Sequence, residues 1–174
     1  MNARARCWSV VLSAGLGIAA LTWPTEHGPG LRIVYNPSDS VPRGWYRVGP
    51  TASLHVDSIV LARLPPEAAA LASERRYLPE RVPLLKSIGA ISPQQVCVRD
   101  RIVRIDGVAL ATALKADREG RPMPVWHQCR ALHDDELFLL STTNPASFDS
   151  RYFGPVSTSA VIGSAHPLWT RSTP

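Results

Sequence analysis

The chain has 174 residues, 45% apolar and 19% charged, which excludes a disordered or coiled-coil protein and leaves room for one domain with its own core. Its 16 prolines, about 9% against a usual ~5%, break helix interiors and lean the fold towards β structure. The net charge of +5 is too small and too scattered to argue for nucleic acid, and none is expected as a partner.

The N-terminus carries Arg4 and Arg6, then an uncharged stretch from Cys7 to Trp23, then Pro24. At 1.5 Å per residue that stretch spans roughly 25 Å, the short end of a membrane crossing. Trp8 and Trp23 stand where interfacial aromatics belong, and the leading arginines put the N-terminus in the cytoplasm. The expected organisation is an anchor at 1–24 and an extracytoplasmic domain at 25–174. A cleaved signal peptide, with small residues near Gly17 and Ala19, is the rival, and a buried core helix is the third reading. The first two place the body outside the cytoplasm. There Cys97 and Cys129, an even pair with no zinc-like spacing, are expected to form a disulfide; two buried free thiols are the alternative.

Along the body, Leu31–Tyr35 reads as a short strand and Asn36–Gly44 as a turn-rich loop, after which Trp45–Val48 resumes extended chain. Ile59–Leu64 is a strand. Pro65-Pro66-Glu67 opens a short helix over Ala68–Arg76, stopped before Pro79. Val82–Ile91 is apolar almost throughout and suits a buried strand. Val96–Val98 and Ile102–Ile105 read as a hairpin, followed by an Asp106-Gly107 turn. Thr112–Met123 is polar loop with at most one helical turn. Glu136–Ser141 is a strand, Thr142–Ser150 a loop and Ala160–Ala165 a last strand. The fold class is mainly β with one short inserted helix.

Three places can carry chemistry. In Ser38-Asp39-Ser40-Val41-Pro42-Arg43-Gly44 a serine hydroxyl sits on a turn constrained by proline and glycine, as a nucleophile requires, although such a sequence also makes an ordinary turn. The second is Lys86, in the apolar run Pro83–Ile88. The 19 basic residues are 17 arginines and two lysines, Lys86 and Lys115, so a lysine kept in an apolar strand stands out. By strand alternation it shares a face with Leu84 and Ile88. Burial lowers a lysine pKa, and a neutral lysine is a general base, whereas arginine stays protonated. To be neutral near pH 7 its pKa must fall by about three units, roughly 4 kcal/mol. A lysine that snorkels to water or pairs with an acid is the plainer reading. The third is Ser147–Val156, where acid, base, hydroxyl and aromatic residues crowd one loop. They suit either a site or a structural Asp/Arg turn.

In this order and spacing the three resemble the signal peptidase I family of Ser/Lys-dyad serine peptidases, and within it the conjugative-transfer branch of TraF-type pilin-maturation peptidases. Asn36, Ser38, Ser40, Pro42, Gly44 and Tyr46 match the branch's Asn-x-Ser/Thr-x-Ser-x-Pro-x-Gly-x-Tyr pattern, and Asp149–Pro155 (Asp-Ser-Arg-Tyr-Phe-Gly-Pro) matches its last box. The branch also tends to carry cysteine stretches like those at Cys97 and at Trp126–Cys129. The resemblance implies Ser40 as nucleophile and Lys86 as general base, later the acid for the leaving amine. It implies Ser38 as a helper of the Ser40 N–H in the oxyanion hole and Ser147 as the group that positions the lysine. Asp149 and Arg151 become an ion pair shaping the site, with Asp149 sometimes given a more direct role. Val41, Ser87, Ile91-Ser92-Pro93 and Thr143–Ala146 depart from the housekeeping enzymes.

The implied fold is the signal-peptidase/LexA-like β-fold behind an N-terminal transmembrane helix. The implied protein is a membrane-anchored endopeptidase with its active site on the periplasmic side of the bacterial inner membrane, needing no metal or organic cofactor. Its implied partner is a membrane-inserted pilin precursor, cut and conceivably cyclised, or, as the alternative, another signal-peptide-bearing precursor. A LexA-like self-cleaving regulator would need a helix-turn-helix, for which 1–30 leaves no room. A silent interaction domain would not need both dyad members.

Overall fold

Tyr46 and Val48 point inward while Trp45 and Arg47 point outward, the period of two that a pleated strand imposes on a sequence. In a computed structural model, which describes residues 32–51 and 53–171, this strand is one of eleven. The order is β1 (Arg32–Asn36), β2 (Gly44–Gly49), β3 (Ile59–Ala62), α1 (Pro66–Glu74), β4 (Leu84–Ile91), β5 (Gln95–Arg99), β6 (Ile102–Ile105), β7 (Val108–Thr112), β8 (Cys129–Ala131), β9 (Glu136–Leu139), α2 (Ser150–Phe153), β10 (Val156–Ser157) and β11 (Val161–Thr170). The fold is mainly β, as expected. The expected anchor falls outside the described residues, and among those described no helix is long and apolar enough to cross a membrane.

Seven strands form one sheet in the order β1-β2-β11-β3-β4-β9-β10, and four form another in the order β7-β6-β5-β8. β4 is the hinge of the larger sheet. Its first half, Leu84–Ser87, pairs antiparallel with β3, and its second half, Ile88–Ile91, with β9. β3 and β4 bury both faces. Val60, Leu84 and Ile88 belong to one core cluster, while their neighbours Leu61 and Leu85 pack with Val41, Tyr46 and Val48 in another. This is why these strands read as continuous apolar runs rather than alternating ones. Lys86 stands opposite Val60 in the register, so it shares a face with Leu84 and Ile88, as alternation predicts. A third cluster, with Val96, Val98 and Val103 against Phe138 and Leu140, joins the two sheets. The expected disulfide is present: Cys97 and Cys129 face each other directly across β5 and β8.

The structure corrects the sequence reading in four places. Val108–Thr112, assigned no element from the sequence, is a strand, β7: an apolar stretch at the edge of the smaller sheet whose side chains are mostly exposed. β8 is three residues long, too short to show a period. The last strand runs to Thr170, well past Ala165, because it pairs with β2 along its second half. The expected single helix is α1, which starts at Pro66 behind Pro65 with Glu67 in its first turn. A second, α2, is one turn long. Asp149 caps its start by accepting from the Arg151 N–H, and Gly154, at φ +81°, ends it. A side chain at Gly154 would stand 2.6 Å from the Trp126 ring, so both the backbone and the space demand glycine.

Candidate active site

The serine loop between β1 and β2 is organised by Asn36. Its side-chain amide donates to the carbonyls of Ser38 and Val41 at 2.9 Å and Pro42 at 3.2 Å, and its oxygen accepts from the Ser38 N–H and hydroxyl. The Tyr46 hydroxyl adds a bond to the Pro42 carbonyl at 2.6 Å. Val41, 3% exposed, plugs into the cluster of Leu61 and Leu85, which lays the loop against β3 and β4. A one-residue anchor beside Ser40 thus delivers its hydroxyl to the strand that carries Lys86. Asn36 and Tyr46 entered the sequence reading only as matches to a pattern. Their role as loop organisers depends on closure of the loop and has no local signal.

Ser40, Lys86 and Ser147 meet in one buried triangle. The Lys86 ammonium donates to the hydroxyls of both serines, which lie 3.2 Å from each other. Lys86 is 4% exposed, and among the described residues no carboxylate hydrogen-bonds or ion-pairs with it. Burial pushes its pKa down from the ordinary value to about 8, the Asp149 charge works in the opposite direction, and Arg151 lowers it further. That fall is smaller than the three units that full neutrality at pH 7 requires. Near pH 7 about a tenth of the molecules hold Lys86 neutral, and the fraction rises steeply above it. A neutral amine at hydrogen-bonding distance from a serine hydroxyl can take its proton as the oxygen attacks a carbonyl.

Ser147 is held from behind. Arg151 donates to the backbone carbonyls of Ser147 at 3.0 Å, Asn144 at 3.2 Å and Thr112 at 3.2 Å. Its Nε and Nη2 also donate to the two Asp149 carboxylate oxygens, each at 2.8 Å. Asp149, fully buried, also accepts from the Ser141 N–H at 3.0 Å. The pair therefore braces the loop and the strand end around Ser147. Asp149 makes no hydrogen bond to Lys86 among the described residues and acts on it only through its charge. Ser38 lies in the same loop as Ser40, but its hydroxyl is committed to Asn36. Among the described residues no group of three or more His, Cys, Asp or Glu side chains could hold a metal ion.

Ser40 and Lys86 lie in a cleft of about 940 Å³ whose walls include Val34, Leu61, Leu78, Leu85, Met123 and Phe148. Its far side is built by the end of α1 and the loop that follows β7. That loop is not helical. It turns about Asp117, whose carboxylate accepts from the Tyr77 hydroxyl at 2.5 Å, from Arg121 Nε at 2.7 Å, and from the backbone N–H groups of Glu119 and Arg121 at 2.9 Å. Burial opposes that charge, yet these donors hold the carboxyl well below the usual carboxylate range. The sequence reading passed over Asp117 and Tyr77, because their contact spans 40 residues and only the fold creates it.

Comparison with known proteins agrees with the site. Residues 5–169 match the family described as signal peptidase, peptidase S26. A plasmid transfer protein TraF from Escherichia coli is 31% identical over 166 residues, covering 88% of this chain and 91% of that protein. A conjugal transfer protein TraF from Agrobacterium fabrum is 38% identical over 90 residues, 51% of this chain and 49% of its own. A solved signal peptidase I from Enterococcus faecalis aligns with 66% of this chain and 97% of its own, at 19% identity and a TM-score of 0.38. With the family match running almost end to end over a chain that buries a serine against a lysine, this protein belongs to the signal peptidase S26 family and is a serine peptidase.

Proposed function

We propose that this protein is a membrane-anchored endopeptidase that matures a pilin precursor of a conjugative type IV secretion system on the periplasmic side of the inner membrane, with Ser40 as nucleophile and Lys86 as general base. The observation that carries the chemistry is the triangle of Lys86 with the Ser40 and Ser147 hydroxyls. Conjugation enters through the relatives, which are named plasmid or conjugal transfer proteins. The membrane setting rests on the uncharged Cys7–Trp23 stretch behind two arginines.

In this reading the Ser40 oxygen attacks the scissile carbonyl carbon and its proton passes to Lys86 Nζ. Ser147 keeps the amine aimed at Ser40 throughout. The Ser40 N–H, with the Ser38 hydroxyl once it turns away from Asn36, faces the developing oxyanion. The tetrahedral intermediate collapses, the C–N bond breaks, and Lys86 returns the proton to the departing amine. Water then attacks the acyl carbon and gives a proton to Lys86, the ester bond to Ser40 breaks, and Lys86 returns that proton to the Ser40 oxygen. The substrate's own terminal amine in place of water would close a ring. A signal peptidase for another exported cargo is the second reading, favoured by the family description.

Co-expression with candidate pilin precursors, read by intact mass, tests the proposal. It reports cleavage and cut site together, and a cyclic product is lighter than the linear one by one water. Ser40→Ala and Lys86→Arg should both leave the precursor uncut, the latter because a guanidinium cannot accept the proton. A general base contributes on the order of 10²–10⁴ in rate, and loss of the nucleophile removes at least as much. Between pH 6 and 9 the wild-type kcat/KM should climb, reach half its maximum at the Lys86 pKa of about 8, and level off about one pH unit above it. Normal processing by either variant would refute the dyad; cleavage of other exported precursors but no pilin would favour the second reading.

A further inference from the structure

The cleft has a second half that the chemistry at Ser40 leaves unused. Four arginines line its far side: Arg75, Arg76, Arg118 and Arg121. Two are engaged within the protein. Arg121 binds Asp117 at 2.7 Å and Glu119 at 3.0 Å, and Arg75 donates to the Pro122 carbonyl at 3.0 Å while sitting 3.8 Å from Asp117. Among the described residues the only acids on this wall are Asp117 and Glu119, both already paired with Arg121. Arg76 and Arg118 are exposed, and their side chains have no hydrogen-bonded or ion-paired partner among the described residues. The wall thus carries an unbalanced charge of two, located on these two residues.

Both arginines stand on fixed backbone. Arg76 follows the last turn of α1 at φ +59°, in the left-handed region that non-glycine residues rarely occupy, and its N–H is tied to the Ser73 carbonyl at 3.0 Å. Arg118 sits inside the turn that Asp117 closes on both sides. Its charge is felt at Asp39, the residue before Ser40, so the rim and the serine loop share one electrostatic environment. The same cleft is lined by apolar side chains, among them Leu61 and Leu85, which pack against Val41 next to Ser40. A cleft that is apolar beside the reactive serine and cationic at its rim discriminates by charge complementarity.

From this we infer that Arg76 and Arg118 form a carboxylate-binding subsite, so that the preferred substrate segment is apolar next to the scissile bond and presents a carboxylate to the rim. The carboxylate is that of an aspartate or glutamate side chain or that of a free chain end. The inference rests on the reading of Ser40 as nucleophile only in that it places the scissile bond; binding itself is measured without turnover.

The test uses the full chain carrying Ser40→Ala and twelve-residue peptides of alanine, leucine and serine, acetylated and amidated at their ends. One set carries a single glutamate at each position in turn, the second carries glutamine there, and a third carries glutamine with a free C-terminal acid. At one or a few adjacent positions the glutamate peptide should bind about threefold to tenfold more tightly than its glutamine twin, or the free acid than the amide, and the set that shows the gap identifies the source of the carboxylate. The gap should close in the added variant Arg76→Gln/Arg118→Gln and shrink in about 0.5 M salt, while glutamine peptides bind unchanged. In the cleaving enzyme the same two substitutions should raise KM for the acidic peptide and leave kcat. A gap that survives in the variant, or no gap with any set, overturns the subsite. A gap that closes as expected, in an enzyme whose Ser40 proves dispensable for cleavage, would instead refute the nucleophile and leave the subsite standing.

Discussion

Two cations are buried within one site, and the protein treats them in opposite ways. Arg151, 1% exposed, spends its donors on the Asp149 carboxylate and three backbone carbonyls. Lys86, 4% exposed, rests on two neutral hydroxyls. The first charge is matched by a countercharge in contact and serves as a brace. The second is left destabilised, and its pKa falls to about 8 as a result. A buried ion whose countercharge is in contact resists any change of protonation; one held by hydroxyls is easily stripped of its proton. The difference separates the group that can exchange a proton from the group that keeps it in place.

The comparison is broken most severely by removing the brace. Arg151→Met leaves Asp149 buried without its partner, and breaking such a pair costs about 3–5 kcal/mol. Urea unfolding of the full chain should show a loss of that size, with Ser147 released from its carbonyl anchor. Asp149→Asn should lose a similar amount, because one amide oxygen replaces only one of the two carboxylate oxygens, so either the α2 cap or the Ser141 bond is lost, and the buried Arg151 charge loses its partner. A loss under about 1 kcal/mol for Arg151→Met, in the range of an exposed pair, would show that the brace carries no structural weight.

Substitution at Lys86 should have the opposite effect on stability. A fall from 10.5 to about 8 is 2.5 pKa units, or about 3 kcal/mol of penalty on the charged form. The unfolded chain holds the proton up to pH ~10.4 and the folded chain releases it near 8, so between those values wild-type stability rises with pH. Below pH 8 both states are protonated and the whole penalty is present. Lys86→Met should therefore abolish cleavage yet raise unfolding stability by up to about 3 kcal/mol near pH 7, an advantage that fades towards pH 10. The two serine hydroxyls left behind still have each other. A Met variant less stable than wild type at pH 7 would mean that Lys86 is a structural cation like Arg151.

These two groups were not equally legible beforehand. Lys86 announced itself by chemistry that is local in the chain, a lysine in an apolar strand of an arginine-rich protein. The serine turn was visible as a turn, and its reactivity only through resemblance. Asp149 and Arg151 read as a pair because they are two residues apart, but of the three carbonyls that make Arg151 a brace two belong to the loop just before it, at Asn144 and Ser147, and the third, at Thr112, is 39 residues away. Edge strand β7 is an uninterrupted apolar stretch that shows no polar–apolar alternation, and β8 and α2, at three or four residues, are too short to show a period. The loop around Asp117 read as featureless polar chain. Its order comes from a tyrosine 40 residues away, brought there by the end of α1.

That loop offers a third, milder comparison. Asp117 is a carboxylate saturated with donors, like Asp149, but it lies at the rim of the cleft rather than beneath it. Asn at this position keeps an acceptor for the Glu119 and Arg121 N–H groups, so the turn should still form. It loses the charge that holds Arg121 and steadies Arg75, and it leaves the rim more cationic by one. Asp117→Asn should therefore leave kcat within about twofold of wild type, since no atom of Asp117 reaches Lys86 or Ser40. Its KM should move, falling for substrates with a carboxylate near the rim and staying level for neutral ones, by about two- to threefold on the scale of an exposed ion pair. Steady-state kinetics on matched glutamate and glutamine peptides separates the two outcomes. A large drop in kcat for both peptides would show that the rim turn sets the geometry of Ser147 and the dyad, and that the division between the reactive centre and the wall facing it does not hold.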